Sequence, residues 1–168
     1  RIAYCGSQNC ADPEFRVTPA YAPGIDMLLR CEGPVVRQVQ HISLFGWLSQ
    51  PNEAGLEHLA ASIDLPQAGA GSMALAFATG PNTRHNAMAD MFVASIYAAR
   101  RELVVSTPYF VPDEPILRAL CAAPRRGVVT RLILPARNDS WLVAQSSRST
   151  YPDLLQSGVE VFEYQPGL

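Results

Sequence analysis

Lysine is missing from this chain: all thirteen basic residues are arginine. That absence excludes Schiff-base chemistry, a P-loop lysine and any lysine-dependent phosphate site made by this chain alone. No GxGxxG follows a strand-like run, which argues against a dinucleotide-binding domain. No apolar run approaches the roughly 18 residues needed to span a bilayer, and the first residues lack signal-peptide organisation, so the chain as given reads as soluble. Cys5, Cys10, Cys31 and Cys121 have neither CxxC nor zinc-site spacing and read as buried or incidental free thiols, with an oxidising compartment left open. No metal and no cofactor are expected. The net charge of −2 supplies no general pull toward nucleic acid, and no nucleic-acid partner is expected.

What is present is a chain of 168 residues, 48% hydrophobic, with material for a sizeable core at single-domain length. Its clearest stretch is 103–137. Leu103-Val104-Val105-Ser106-Thr107 is a short β-rich run, and residues 128–135 form a second one after Arg126-Gly127. Between them, Pro112-Asp113-Glu114-Pro115 offers a capping aspartate, acidic charge in a first helical turn and a proline where no N–H is needed. Pro124 and Gly127 end that helix. Strand, helix and strand make a βαβ unit with parallel strands, so the fold class is α/β, a mainly parallel sheet flanked by helices. Ligands of open α/β sheets gather at the carboxyl ends of strands. The loops at Pro108-Tyr109-Phe110 and Ala136-Arg137-Asn138-Asp139 are therefore expected to flank one crevice.

The rest of the chain is read around that unit. Residues 1–6 open as a strand entered part way along, and Gly6-Ser7-Gln8-Asn9 ends it with groups that bind an anion or simply close a turn. Residues 12–24 carry three prolines and read as a long loop. Residues 25–31 return to a strand, and after Glu32-Gly33-Pro34 a helix follows with Val35, Val36, Val39, Ile42, Leu44 and Phe45 on one face. Residues 50–71 read as a linker or variable insertion, 73–79 as a strand and 82–101 as a helix. Asn138-Asp139-Ser140 caps a further helix, which Tyr151-Pro152 interrupts and Gly158 ends, and 159–164 is the last strand. His41, His58 and His85 read as surface or core histidines, with an anion contact open for His85 at its helix start. Both ends read as cuts through a larger fold.

The ordered pieces resemble the phospholipase D superfamily, and within it the bacterial cardiolipin synthases. Gly6-Ser7-Gln8-Asn9 is similar to the GSxxN tail of the first HxKxxxxDxxxxxxGSxxN motif, and Asp12-Pro13, Glu32-Gly33-Pro34 and Trp47 follow in family order. Thr107-Pro108-Tyr109-Phe110-Val111-Pro112, Leu134-Pro135, Asn138-Asp139-Ser140 and Ser147-Arg148-Ser149 resemble the stretch leading into the second motif. The resemblance implies a phospholipase D-like fold, incomplete in this chain. Residues 1–49 would be the C-terminal part of a first half, 50–71 a linker and 72–168 the N-terminal part of a second half.

The same resemblance implies an internal segment of a phosphatidyltransferase that makes cardiolipin from phosphatidylglycerol through a phosphohistidine. Neither motif histidine lies in this chain, so no catalytic residue is expected in it, and the segment alone is expected to be inactive. Ser7 and Asn9 would stand beside the phosphate, Tyr109 and Phe110 would form an apolar wall or pack in the core, Asp139 would cap a helix, and Arg148 would meet an anion. The parent protein would work at the bacterial cytoplasmic membrane on a phospholipid, while the segment, with unpaired strand edges, would self-associate. The competing readings are a phospholipase D-type phosphodiesterase acting on phospholipid or nucleic acid, and a degenerate binding module without catalysis.

Overall fold

A computed structural model describes residues 2–7, 26–48, 69–79 and 85–165, which fall into two compact units. The first contains 2–7, 26–48 and 69–79, and the second contains 85–165. The expected loop 12–24 and residues 50–68 of the expected linker lie outside the described residues.

In the first unit β1 (Ile2–Gly6) pairs antiparallel with β2 (Leu28–Glu32), from Ile2 opposite Glu32 to Gly6 opposite Leu28. The pair closes tightly at Gly6, where a Cβ would overlap the Met27 carbonyl oxygen, so glycine is required by backbone contact. Gly33, at φ 85°, turns the chain into α1 (Val35–Leu48), whose Val36 is buried. The strand expected over 73–79 is not formed. That run has no regular structure, Met73 and Leu75 stand in solvent, and Ala76 spends its N–H on the Gln38 side-chain oxygen at 2.7 Å. Its apolar residues have the composition of a strand but no ladder partner among the described residues, and composition alone does not satisfy backbone groups.

The second unit is the βαβ arrangement extended by one strand. Its elements are α2 (Ala87–Ala98), β3 (Glu102–Ser106), α3 (Glu114–Arg125), β4 (Val129–Pro135), α4 (Trp141–Ser149), α5 (Tyr151–Gln156) and β5 (Glu160–Tyr164). The sheet is parallel with order β3-β4-β5. Helix α2 is shorter than expected: it follows Asn86, held at φ 61°, and ends where Ala99 becomes extended. The Arg126 guanidinium donates to the Ile96 carbonyl at 2.9 Å and lies 5.0 Å from the Tyr97 ring centre, so it satisfies the end of α2 and packs there as well.

The cap of α3 is as read, with Asp113 accepting from the Ile116 amide at 3.0 Å. Pro124 sits in the last turn and Gly127 leaves at φ 80°. Alternation along β4 is complete: Thr130, Leu132 and Leu134 are buried on one face, with Leu103, Val105 and Val161 beside them in register. Against that face pack Ile96 of α2, Ala119, Leu120 and Ala123 of α3, and Leu154 of α5.

The opposite face behaves differently. Arg131 bridges Glu102 and Glu160 across the three strands at one end, while Val104, Val129 and Phe162 are exposed on the same side. The strands expected to carry unpaired edges each have one partner among the described residues, β1 pairing with β2 and β5 with β4.

Candidate functional site

Past β3 the ladder continues for one more bond, Thr107 N–H to the Ile133 carbonyl at 3.3 Å, and then the chain turns. The Thr107 hydroxyl oxygen accepts from the Tyr109 amide at 3.3 Å, which fixes the turn and sends the next two side chains apart. Phe110 drops into the core, and Tyr109 stays 51% exposed.

Past β4, Asn138 ties the two loops together. Its amide nitrogen donates to the Pro108 carbonyl at 2.6 Å, and its oxygen accepts from the Ser140 amide at 2.8 Å. Ser140 is the N-cap of α4, accepting from the Val143 amide at 3.4 Å. Asp139 is therefore not the cap that the sequence pattern assigns to it. Its carboxylate instead accepts from the Tyr109 hydroxyl at 3.1 Å, a second bond between the loops. A cap accepts from an amide two or three residues ahead, and Ser140 is better placed to do so.

The loops flank a shallow crevice at the carboxyl edge of the sheet. Pro108, Phe110, Asn138, Ser147, Arg148 and Tyr151 are among the residues that line it, and it is open to solvent with a volume of about 10 Å³. That is room for one water, so any larger ligand must sit at the open mouth or spread the loops. Arg148 donates to the Ala136 carbonyl at 3.2 Å, and its Nε lies 4.0 Å from Glu163. Glu163 in turn accepts from the Tyr151 hydroxyl at 3.3 Å. A guanidinium has five N–H donors, so Arg148 retains donors for an oxyanion at the mouth.

Burial raises the Tyr151 phenol pKa above its ordinary value, and the neighbouring Glu163 charge adds to that effect. The Tyr109 phenol is also raised, first by burial of its hydroxyl end and then by the bond to Asp139 and the charge of that carboxylate. Because the neutral phenol is the donor, this contact persists below the unfolded value of about 10 and is lost as pH rises through the higher folded value. Ultraviolet absorbance titration is expected to show two tyrosines ionising late, Tyr109 and Tyr151, with Tyr109→Phe removing one of them and Asp139→Asn bringing that one part of the way down. An unchanged titration in Asp139→Asn would show that the contact does not hold the phenol.

Of the other residues singled out from sequence, Ser7 lies in the first unit. Its hydroxyl donates to Asp26 at 2.9 Å and accepts from the Met27 amide at 3.1 Å, closing the β1–β2 end. Asn9 lies outside the described residues, as do His58 and Cys10, and His41 and His85 are exposed. Cys5 is exposed, while Cys31 and Cys121 are half-buried free thiols. Sequence reading missed the linking role of Asn138 and the place of Tyr151 and Ser147 in the crevice wall. The sequence places Asn138 in a capping run and in a loop beside the crevice, but not its bond to Pro108, which is thirty residues away.

Comparison with known proteins sharpens this picture. A family model described as cardiolipin synthase, PLD-like domain, matches residues 92–168. The chain is 36% identical over 177 residues to cardiolipin synthase A of Buchnera aphidicola subsp. Acyrthosiphon pisum (strain APS), covering 99% of this chain and 35% of that protein. It is 36% identical over 172 residues to cardiolipin synthase A of Proteus mirabilis, with the same coverage. Against cardiolipin synthase A of Pectobacterium carotovorum, identity is 34% over 170 residues, covering 100% of this chain and 35% of that protein. The chain thus spans 35% of the length of these curated relatives. No solved structure matches it.

Proposed function

Because this chain belongs to the phospholipase D superfamily, with a cardiolipin synthase-type domain in its second half, we propose that it is an inner segment of a phosphatidyltransferase making cardiolipin from two phosphatidylglycerols. In this reading it carries the end of one phospholipase D-like half and the start of the next. A histidine outside the chain attacks the phosphorus of the first lipid and releases glycerol, which a second histidine protonates. The free glycerol hydroxyl of the second phosphatidylglycerol then gives its proton to the second histidine and attacks the phosphohistidine, breaking the P–N bond, restoring both histidines and forming cardiolipin.

The single observation that carries the proposal is the crevice at the carboxyl ends of β3 and β4. It is lined by Arg148 and Asn138, where a phosphodiester oxygen would find the guanidinium and the second amide N–H of Asn138. Ser7 and Asn9 are proposed as further phosphate-side donors, and Ser7 must then share its hydroxyl with Asp26. Lipid access implies work at the bacterial cytoplasmic membrane. Among the described residues no helix is long and apolar enough to cross one.

The test is product analysis of the intact protein with phosphatidylglycerol. Cardiolipin and glycerol are expected, whereas phosphatidic acid without cardiolipin would replace the synthase with a hydrolase. The 168-residue chain by itself is expected to take no label from phosphorus-labelled phosphatidylglycerol, and label bound to it would contradict the placement of both histidines outside.

Self-association of the isolated chain is expected through the open sheet face at Val104, Val129 and Phe162. Light scattering is expected to show dimers or larger species that Phe162→Glu shifts toward monomer. A strict monomer at high concentration would remove this expectation.

A further inference from the structure

Two residues of the crevice wall converge on one carboxylate oxygen. Oε1 of Glu163 accepts from the Tyr151 hydroxyl at 3.3 Å and lies 4.0 Å from Nε of Arg148. The first contact is a long hydrogen bond, and the second is an ion pair without one. Arg148 stands in the last turn of α4 and Tyr151 begins α5, while Glu163 comes from β5, in register with Leu134 of β4. Both wall residues are fixed by further contacts. Nη2 of Arg148 donates to the Ala136 carbonyl, and the Ala136 amide donates to the Tyr164 carbonyl at 2.9 Å, which ties that anchor to the strand carrying Glu163. Tyr151 packs against the core. The Glu163 side chain, 39% exposed, has room to move.

We infer that the Tyr151 hydroxyl is a positioning group that holds Glu163 off Arg148 and so keeps the guanidinium open to a phosphodiester oxygen. The inference rests on the reading of the crevice as a phosphate site and adds the residue that governs how available its cation is. An unrestrained glutamate this near an arginine closes to a charge-assisted contact of about 2.7–2.9 Å. A closed pair leaves fewer N–H donors for a ligand. The phenol supplies the competing donor, and because burial and the Glu163 charge raise its pKa above the ordinary value, it carries its proton at neutral pH. A pair as exposed as this one is worth only up to about fivefold in an equilibrium. One hydrogen bond to a charged acceptor is therefore strong enough to decide where the carboxylate sits.

The test uses the intact protein and dimethyl phosphate, a soluble phosphodiester without acyl chains, with dissociation constants from phosphorus NMR titration. Tyr151→Phe is expected to weaken binding about two- to fivefold, because Glu163 then closes on Arg148. Glu163→Gln, which keeps the size and removes the charge, is expected to tighten binding by a similar factor. The double variant Tyr151→Phe/Glu163→Gln is expected to bind as Glu163→Gln does, since without the carboxylate the phenol hydroxyl has nothing to restrain. A tyrosine that merely supported the fold would not be rescued by a change of charge at Glu163.

Equal binding in Tyr151→Phe, or a double variant as weak as Tyr151→Phe, overturns the inference. Weaker binding in Glu163→Gln overturns it as well, because the carboxylate would then be aligning Arg148 and not competing for it. Arg148→Ala separates this from failure of the crevice reading. Unchanged binding there removes the phosphate site and the inference with it, whereas a loss there beside an unrescued Tyr151→Phe removes the inference alone.

Discussion

Replacing Leu120 with alanine is expected to lower the stability of the second unit by about 3 kcal/mol, within the roughly 2–5 kcal/mol that buried Leu→Ala changes cost. Leu120 is 1% exposed, and it shares the core with Ala123, Leu132, Leu154 and Val159 at the meeting of α3, β4 and α5. Its fully buried neighbours on α3 are alanines, Ala119 and Ala123, too small to fill the space, and Ile116 and Leu117 of the same helix are already packed against the core. The cavity therefore persists, and its cost adds to the lost transfer of the side chain from water. For a unit of this size each kcal/mol moves the midpoint by about 4–8 °C, so a fall of well over 10 °C is expected in thermal unfolding followed by circular dichroism.

Leu142→Ala, at an exposed site, is the control and is expected to stay within about 0.5 kcal/mol of the unsubstituted chain. Loss of Arg131 is likewise expected to be mild, because its bridges to Glu102 and Glu160 are solvent-exposed and such pairs contribute about 0–1 kcal/mol each. A Leu120→Ala variant within 1 kcal/mol of the unsubstituted chain would mean that α3 does not close the core.

That core was legible in the sequence because its signals are local. The alternation of residues 128–135 gives β4 to within a residue, and Asp113 with Pro115 marks the start of α3 through a cap that needs only the next three residues. Tyr151-Pro152 likewise marks the break between α4 and α5. What was not legible depends on partners distant in the chain. Residues 73–79 have the apolar composition of a strand, yet the ladder they would need is not supplied among the described residues.

At the crevice, the sequence pattern of Asn138-Asp139-Ser140 points to Asp139 as the cap. Only the arrival of the 108–110 loop decides that Ser140 caps, Asp139 takes the Tyr109 hydroxyl and Asn138 takes Pro108. Tyr109 and Phe110 show the same limit. Strand-end aromatics can face a ligand or the core, and here the Thr107–Tyr109 turn sends one each way.

In the intact protein, Arg148→Ala is expected to reduce kcat/KM for phosphatidylglycerol by about 100-fold, as loss of one positioned donor to a developing oxyanion does. With no lysine in the chain, phosphate held by it is neutralised by arginine, and Arg148 is the one cation lining the crevice among the described residues. Its guanidinium is half exposed, anchored by the Ala136 carbonyl and 4.0 Å from Glu163, so it is oriented without being consumed by a tight ion pair. A phosphodiester at the mouth competes with Glu163 for it and, with two oxygens, matches the guanidinium fork.

Arg148→Lys is expected to recover only part of the loss, since an ammonium keeps the charge but cannot hold the Ala136 carbonyl and two phosphate oxygens in the same plane. A merely structural arginine would behave otherwise. Its alanine variant would lose thermal stability in step with activity, and its lysine variant would recover or fail in both together. The expected result is a midpoint within a few degrees of the unsubstituted protein beside a large fall in kcat/KM. Unchanged kcat/KM in Arg148→Ala would detach the crevice from phosphate binding, because among the described residues no other side chain lining it carries a fixed positive charge.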